Sequence, residues 1–199
     1  MYNILVDDLP TAIEINGNEF DINPDYRNCL NIILAYEDNE LTGFEKQLVL
    51  LSNLYKEFPD NEKDIETAVL KGIKFLNGGM EENEGENQEL LYRLYSFSTD
   101  ANLIFAAFKQ THGIDLNDTE YLHWWKFIAL FMDLGSETTF CNLVSLRKRV
   151  KSGKATKEER EAAKEMGEFF EVPEPNELDL EEMEAERKFM EMINKHRIG

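Results

Sequence analysis

The sequence predicts a mainly α protein: a helical bundle with a small N-terminal β-hairpin in front and a C-terminal helical arm behind. Three observations carry that expectation. Apolar and polar residues alternate on either side of Asn16-Gly17, the period of strands in a hairpin. From Asn23 to Phe170 the apolar residues recur at three- and four-residue spacing instead. The run Glu171–Glu177 (EVPEPNE) then sets two prolines ahead of a highly charged tail, which favours an extended linker. The division that follows is a helical domain over 1–170, a proline-containing linker over 171–178 and the arm over 179–199.

In TAIEINGNEFDI the Asn-Gly pair is a strong hairpin signal, because both residues tolerate the positive φ of a two-residue turn. Asn23-Pro24 predicts a helix start, since proline's missing N–H costs nothing at the first helical position. Cys29, Ile33 and Tyr36 then share a face, with Leu30 and Leu34 beside them. Phe44, Leu48, Leu51, Tyr55 and Phe58 keep helical spacing until Pro59 stops the run. Ile65, Val69, Ile73 and Leu76 make a third stripe, ended by Asn77-Gly78-Gly79. Asn77–Gln88 is acidic, glycine-rich and aperiodic, and reads as a mobile loop.

Leu90, Leu91, Leu94 and Phe97 predict a short helix. Asp100 is placed to cap the next one, which buries Ala101, Ile104, Phe105 and Phe108 and closes near Gly113. A helix ending at Gly135 carries both tryptophans, and Phe140, Leu143, Val144 and Val150 mark another. Thr156-Lys-Glu-Glu159 is a capping box, opening a helix with Ala162, Ala163, Met166, Phe169 and Phe170 on its apolar face. In the arm, Leu180, Met183, Met190 and Ile193 fall near one stripe.

The chain has 199 residues, 42% of them hydrophobic, enough for a sizeable core. Its formal net charge of −19 opposes attraction to nucleic-acid phosphates and anionic membranes, so neither is expected as a partner. No apolar run approaches the roughly 20 residues of a bilayer span. Acidic residues stand in MYNILVDDLPTAIEI where a signal peptide carries lysine or arginine. Cys29 and Cys141 each sit alone in a helical pattern and read as buried thiols of a reducing compartment. A soluble cytoplasmic protein is expected.

Residue chemistry points to no catalytic, cofactor or metal site. His112, His123 and His196 are far apart in sequence. Glu120-Tyr-Leu-His123 has the Glu-x-x-His spacing of di-iron bundles, but those need a second copy of the motif, and the chain has none. Asp115–Lys126 (DLNDTEYLHWWK) lacks the sixth-position glycine and twelfth-position glutamate of a calcium loop. No serine sits in a G-x-S-x-G elbow, and the glycines of Asn77–Gln88 match no phosphate-cradling pattern. Catalysis is not expected.

Two segments remain as candidates for recognition. In YLHWWKFIALFMDLG, Tyr121, Trp125, Ile128 and Met132 make one helical stripe, and Trp124, Phe127, Phe131 and Leu134 another. A helix apolar over most of its circumference belongs in the middle of a bundle. There each aromatic buries roughly 150–250 Å², and at about 25 cal/mol per Å² the tryptophan pair contributes several kcal/mol. The alternative is that one stripe, with Trp124, Phe127 and Phe131, forms a groove for a partner helix. The basic stretch LRKRVKSGKATKEER, containing Arg147 and Arg149, also has two readings. It is a solvated junction whose cations favour the preceding helix C-terminus, or a dock for an acidic partner or the molecule's own acidic arm.

FSTDANLIFAAFKQTHGIDL, followed by LHWWKFIALFMDLGSETTFCNLVSLRKR, resembles the bacteriophage gp-fifteen family of siphophages and prophages of Gram-positive bacteria. The resemblance runs from about Asn3 to Arg149, and His123-Trp124-Trp125-Lys126-Phe127 is its most specific element. It implies a role in tail morphogenesis, as a tail assembly chaperone that keeps the tape measure protein soluble in the host bacterial cytoplasm until tail tube subunits replace it. The tape measure protein is then the expected partner, with the tail tube protein and a homo-oligomer as further candidates. The resemblance implies no catalytic residue. On the arm, Met183, Met190 and Ile193 would supply adaptable apolar contacts to the tape measure or another subunit. The competing expectations are an acidic DNA mimic that inhibits a host DNA-binding protein, and a minor structural tail component.

Overall fold

Asn16 and Gly17 both take positive φ, 50° and 88°, so a two-residue turn joins β1 (Ala12–Ile15) to β2 (Asn18–Asp21). The pair is antiparallel, with Ile13 opposite Phe20 and Ile15 opposite Asn18. A computed structural model describes this chain over residues 3–59, 61–79 and 93–173. After the hairpin everything regular in it is helical, as the change of period predicts.

The first helix, α1 (Tyr26–Glu37), begins at Asp25 rather than at Asn23-Pro24, because the Asp25 carboxylate accepts the Arg27 backbone N–H at 2.9 Å. Its innermost residues are Tyr26, Cys29, Ile32 and Ala35, so Leu34 is turned partly outward. A capping box between Thr42 and Glu45 opens α2 (Gly43–Leu54). Hydrogen bonds from Thr42, backbone first, hold the Glu45 carboxyl below its ordinary range.

The predicted α2 stripe is corrected at both ends. Leu50, Leu51 and Leu54 face the core while Phe44 and Leu48 face solvent. Tyr55 leaves the helix in extended conformation to bridge Ile22, so Phe58 lies beyond it. Helix α3 (Glu62–Leu76) crosses α2 closely at Gly72, where a Cβ would meet the Leu50 side chain at 2.8 Å.

Residues 93–100 hold no helix, contrary to the expectation for Leu94 and Phe97. The cause is local competition for donors. The Glu37 carboxylate accepts the backbone N–H groups of Phe97 and Ser98 and the Ser96 hydroxyl, and Asp100 accepts the Ser96 N–H. Leu90, Leu91 and most of the acidic segment Asn77–Gln88 lie outside the described residues, as do residues 174–178 of the predicted linker and the whole arm.

Asp100 occupies the cap position of α4 (Ala101–His112) without bonding the helix end. Gly113 closes that helix at φ 68°, while Ala101 is exposed rather than buried. Then come α5 (Trp124–Met132), α6 (Thr139–Lys151) and α7 (Lys157–Met166), the last with its capping box at Thr156 and followed by a 3-10 turn at Gly167–Phe169. Helix α5 packs between α1 and α4, α4 rests on α6, and α6 carries α7. One large core surrounds α5, and a smaller one joins Leu143, Ala163 and Phe170. Both cysteines are free thiols, and burial, aided by the Asp25 charge, pushes the Cys29 thiol far above its ordinary range.

Candidate functional site

The run from His123 to Phe127 can be followed atom by atom. His123, 2% exposed, caps α5: its Nδ1 accepts the Trp125 backbone N–H at 3.1 Å. That fixes the tautomer, so Nε2 carries the proton and donates it to the Pro10 carbonyl at 3.0 Å. Burial, more than the neighbouring Lys126, lowers the His123 pKa and keeps the ring neutral. The Trp124 backbone N–H donates to the Pro24 carbonyl at 2.7 Å. Both indoles reach the end of α3: Trp124 Nε1 donates to the Leu76 carbonyl and Trp125 Nε1 to that of Phe75, each at 2.8 Å.

The last carbonyls of a helix lack partners within it, and here tryptophans supply two. Gly79 makes room for this, since at φ 75° its missing Cβ would lie 3.0 Å from the Trp125 ring. Phe127 is the hub of the core, stacked on Phe108, Tyr26 and Trp124 at centroid distances of 4.9, 5.1 and 5.4 Å. Phe131 continues the column at 6.3 Å. The Trp124, Phe127 and Phe131 side chains are thus core, and the expectation that they line a groove for a partner is corrected on that ground.

Arg147 is corrected more sharply. It is 0% exposed. Its guanidinium grips Asp100 in a fork, with Nη1 to Oδ2 at 2.7 Å and Nη2 to Oδ1 at 3.0 Å. Nε donates to the Phe170 carbonyl at 2.7 Å, Nη2 to that of Phe169 at 3.0 Å and Nη1 to that of Leu94 at 3.2 Å. Those bonds match the five N–H donors of an arginine. A buried charge is tolerated only when so paired, and this one has nothing left for a partner. Arg149, two residues on, is exposed and pairs with Glu159 at 2.8 Å. Met183, Met190 and Ile193 lie outside the described residues. The predicted residues that are described therefore do not converge on one site.

What the surface does offer are residues that the sequence places in apolar helical stripes. Phe44 (67% exposed) and Leu48 (45%) stand one turn apart on the outer face of α2, and Leu34 is exposed on neighbouring α1. Tyr121 and Met132 are exposed near the two ends of α5, and Met166 and Phe169 near the end of α7. The sequence signal for α2 is its surplus: Leu48-Val-Leu-Leu51 holds more apolar residues than one helix face can bury. An open cleft of about 290 Å³ lies between residues 4–11 and Tyr121, His123 and Lys126. His123 brings no free lone pair to it, since both ring nitrogens are engaged. Among the described residues no group of histidine, cysteine and carboxylate side chains could hold a metal, and no helix is long and apolar enough to cross a membrane.

A protein family described as Bacteriophage Gp15 protein matches residues 5–172. That span runs from just before the hairpin to the buried Val172, and the chain belongs to this family. No curated protein and no solved structure matches it.

Proposed function

We propose that this member of the bacteriophage Gp15 family is a tail assembly chaperone: a non-catalytic binding protein of the host cytoplasm that keeps the phage tape measure protein soluble. The observation that carries the reading is the apolar outer face of α2. Phe44 and Leu48 sit at i and i+4, the spacing by which one amphipathic helix anchors another. Burying a large apolar side chain contributes about 1.5–3 kcal/mol, so two such anchors hold a client helix while leaving it displaceable. The net charge of −19 supports solubility of a protein that exposes such a face. Tail tube subunits are the natural competitors for a client held this loosely.

Co-expression tests the reading. Tape measure segments produced with the wild-type chain are expected in the soluble fraction. They are expected in the pellet when the chaperone carries Phe44→Glu and Leu48→Glu, changes at exposed positions that leave the far-UV circular dichroism unaltered. Segments that aggregate equally with the wild-type chain would refute the proposal. So would finding the protein in purified virions in fixed ratio to the tube, which would make it a structural component.

A further inference from the structure

The corner between α6 and α7 gathers cations of which local helix physics explains only some. Lys148 and Arg149 stand in the last turn of α6, where positive charge offsets the helix end. Lys157 and Arg160 stand in the first turn of α7, the end that disfavours it. Lys164 follows on the same face at helical spacing, and Lys154 projects from the loop after Gly153. All six residues are exposed. Arg149 is held by Glu159, and Lys157 approaches Glu161 at 3.9 Å. For Lys148, Lys154 and Lys164 the described residues provide no ion pair.

The described chain ends beside this corner. Arg147 holds the carbonyls of Phe169 and Phe170, and Val172 is buried. Glu177–Glu186, a few residues further on, contains six carboxylates and no lysine or arginine. Four residues span at most about 14 Å and a ten-residue helix rises about 15 Å. The acidic run therefore begins within reach of the whole cationic face of α7. Met166 and Phe169, near the end of α7, are exposed as well, and Leu178, Leu180 and Met183 are interspersed among the carboxylates.

We propose that residues 177–186 dock in cis on the cationic face formed by Lys148, Lys154, Lys157, Arg160 and Lys164. The inference is independent of the chaperone reading, because it concerns a different face and a different occupant. Tethering raises the effective concentration of the acidic run far above that of any free competitor. Each exposed ion pair is individually weak and screened by salt, so the contact is one that a longer acidic partner can displace.

Zero-length carbodiimide crosslinking of the full chain, in an equal mixture of light and heavy isotopic forms, tests this by mass spectrometry. Crosslinks are expected from the Glu177–Glu186 carboxylates to Lys148, Lys154, Lys157 or Lys164, within chains of one isotopic form. Their yield is expected to fall severalfold between about 0.1 M and about 1 M salt, as the screening length shortens from about 10 Å to about 3 Å. Arg160→Glu should lower the yield similarly, since it weakens the field without removing a reactive amine. Light–heavy crosslinks would overturn docking in cis in favour of a second copy. Crosslinks spread evenly over lysines elsewhere, or insensitive to salt, would overturn the surface itself. Neither failure touches the tape measure assay.

Discussion

His123, Trp124 and Trp125 at the start of α5, and Arg147 near the end of α6, do the same mechanical job with opposite chemistry. Each ties together segments far apart in sequence. The α5 run joins Pro10 and the end of α3 through single hydrogen bonds from ring side chains, and Pro24 through the Trp124 backbone N–H. Arg147 joins Leu94, Asp100 and Phe169–Phe170 through one fully buried charge. The difference lies in how each tie fails. An aromatic that loses its hydrogen bond keeps its packing, whereas an ion pair that loses one member leaves an uncompensated charge inside.

The largest effect is therefore expected at Arg147. Arg147→Met removes the partner of buried Asp100 and strips three backbone carbonyls of a donor, costing about 3–5 kcal/mol as read by urea unfolding. Adding Asp100→Leu is expected to restore part of that loss, because the stranded charge goes with its partner. A double variant no more stable than the single would mean that the carbonyl bonds, and not the charge pair, carry the cost.

Next comes Trp124→Phe, which keeps most of the ring packing but leaves the Leu76 carbonyl without its indole donor. A loss of about 1–3 kcal/mol is expected. Trp125→Phe should cost less, since the Phe75 carbonyl also accepts the Gly78 N–H at 3.0 Å. Equal losses at the two positions would show that packing, rather than closure of α3, sets the energetics.

The sequence exposes these two ties very unequally. Apolar residues at helical spacing mark α5 as interior whatever its neighbours are, so the placement of Trp124 and Phe127 was readable. The role of His123 was not: Tyr121 and Leu122 continue the apolar pattern, and only the carbonyls of Pro10 and Pro24 reveal that the helix starts later. Arg147 was misread because a cation within LRKRVK looks solvated. One signal did exist, since Arg147 falls on the stripe of Phe140 and Leu143. The meaning of that coincidence depends on Asp100, 47 residues away, which local pattern assigns to a helix cap. The exposed face of α2 escaped for a related reason: its apolar residues outnumber what the fold can bury, and periodicity cannot say which ones lose.

Acid distinguishes the two ties further. The folded chain holds His123 neutral, below the ordinary value of 6.5, so under that pH the unfolded chain binds more protons than the folded one. Stability is then full above pH 6.5 and falls as pH drops through the lowered folded value. His123→Asn keeps a side chain able to cap α5 but cannot titrate. Urea midpoints from pH 7.5 to about 5.5 should fall more steeply for the wild type than for this variant. Parallel profiles would remove His123 from the acid response.

The smallest effect is expected two residues from the largest. Arg149 pairs with Glu159 through side chains 44% and 29% exposed, a setting in which solvent and salt screen most of the attraction. Arg149→Ala should cost no more than about 1 kcal/mol, and less in high salt, against several kcal/mol at Arg147. The same residue type in the same basic run thus spans nearly the full range of what an arginine contributes, with burial and the number of partners separating the two. If Arg149→Ala proved as damaging as Arg147→Met, the α6–α7 corner would be acting as a single ionic network. The cationic face could not then be treated as a surface free to bind an acidic segment, and the loss of crosslinks expected on Arg160→Glu would have to be read as unfolding of the corner.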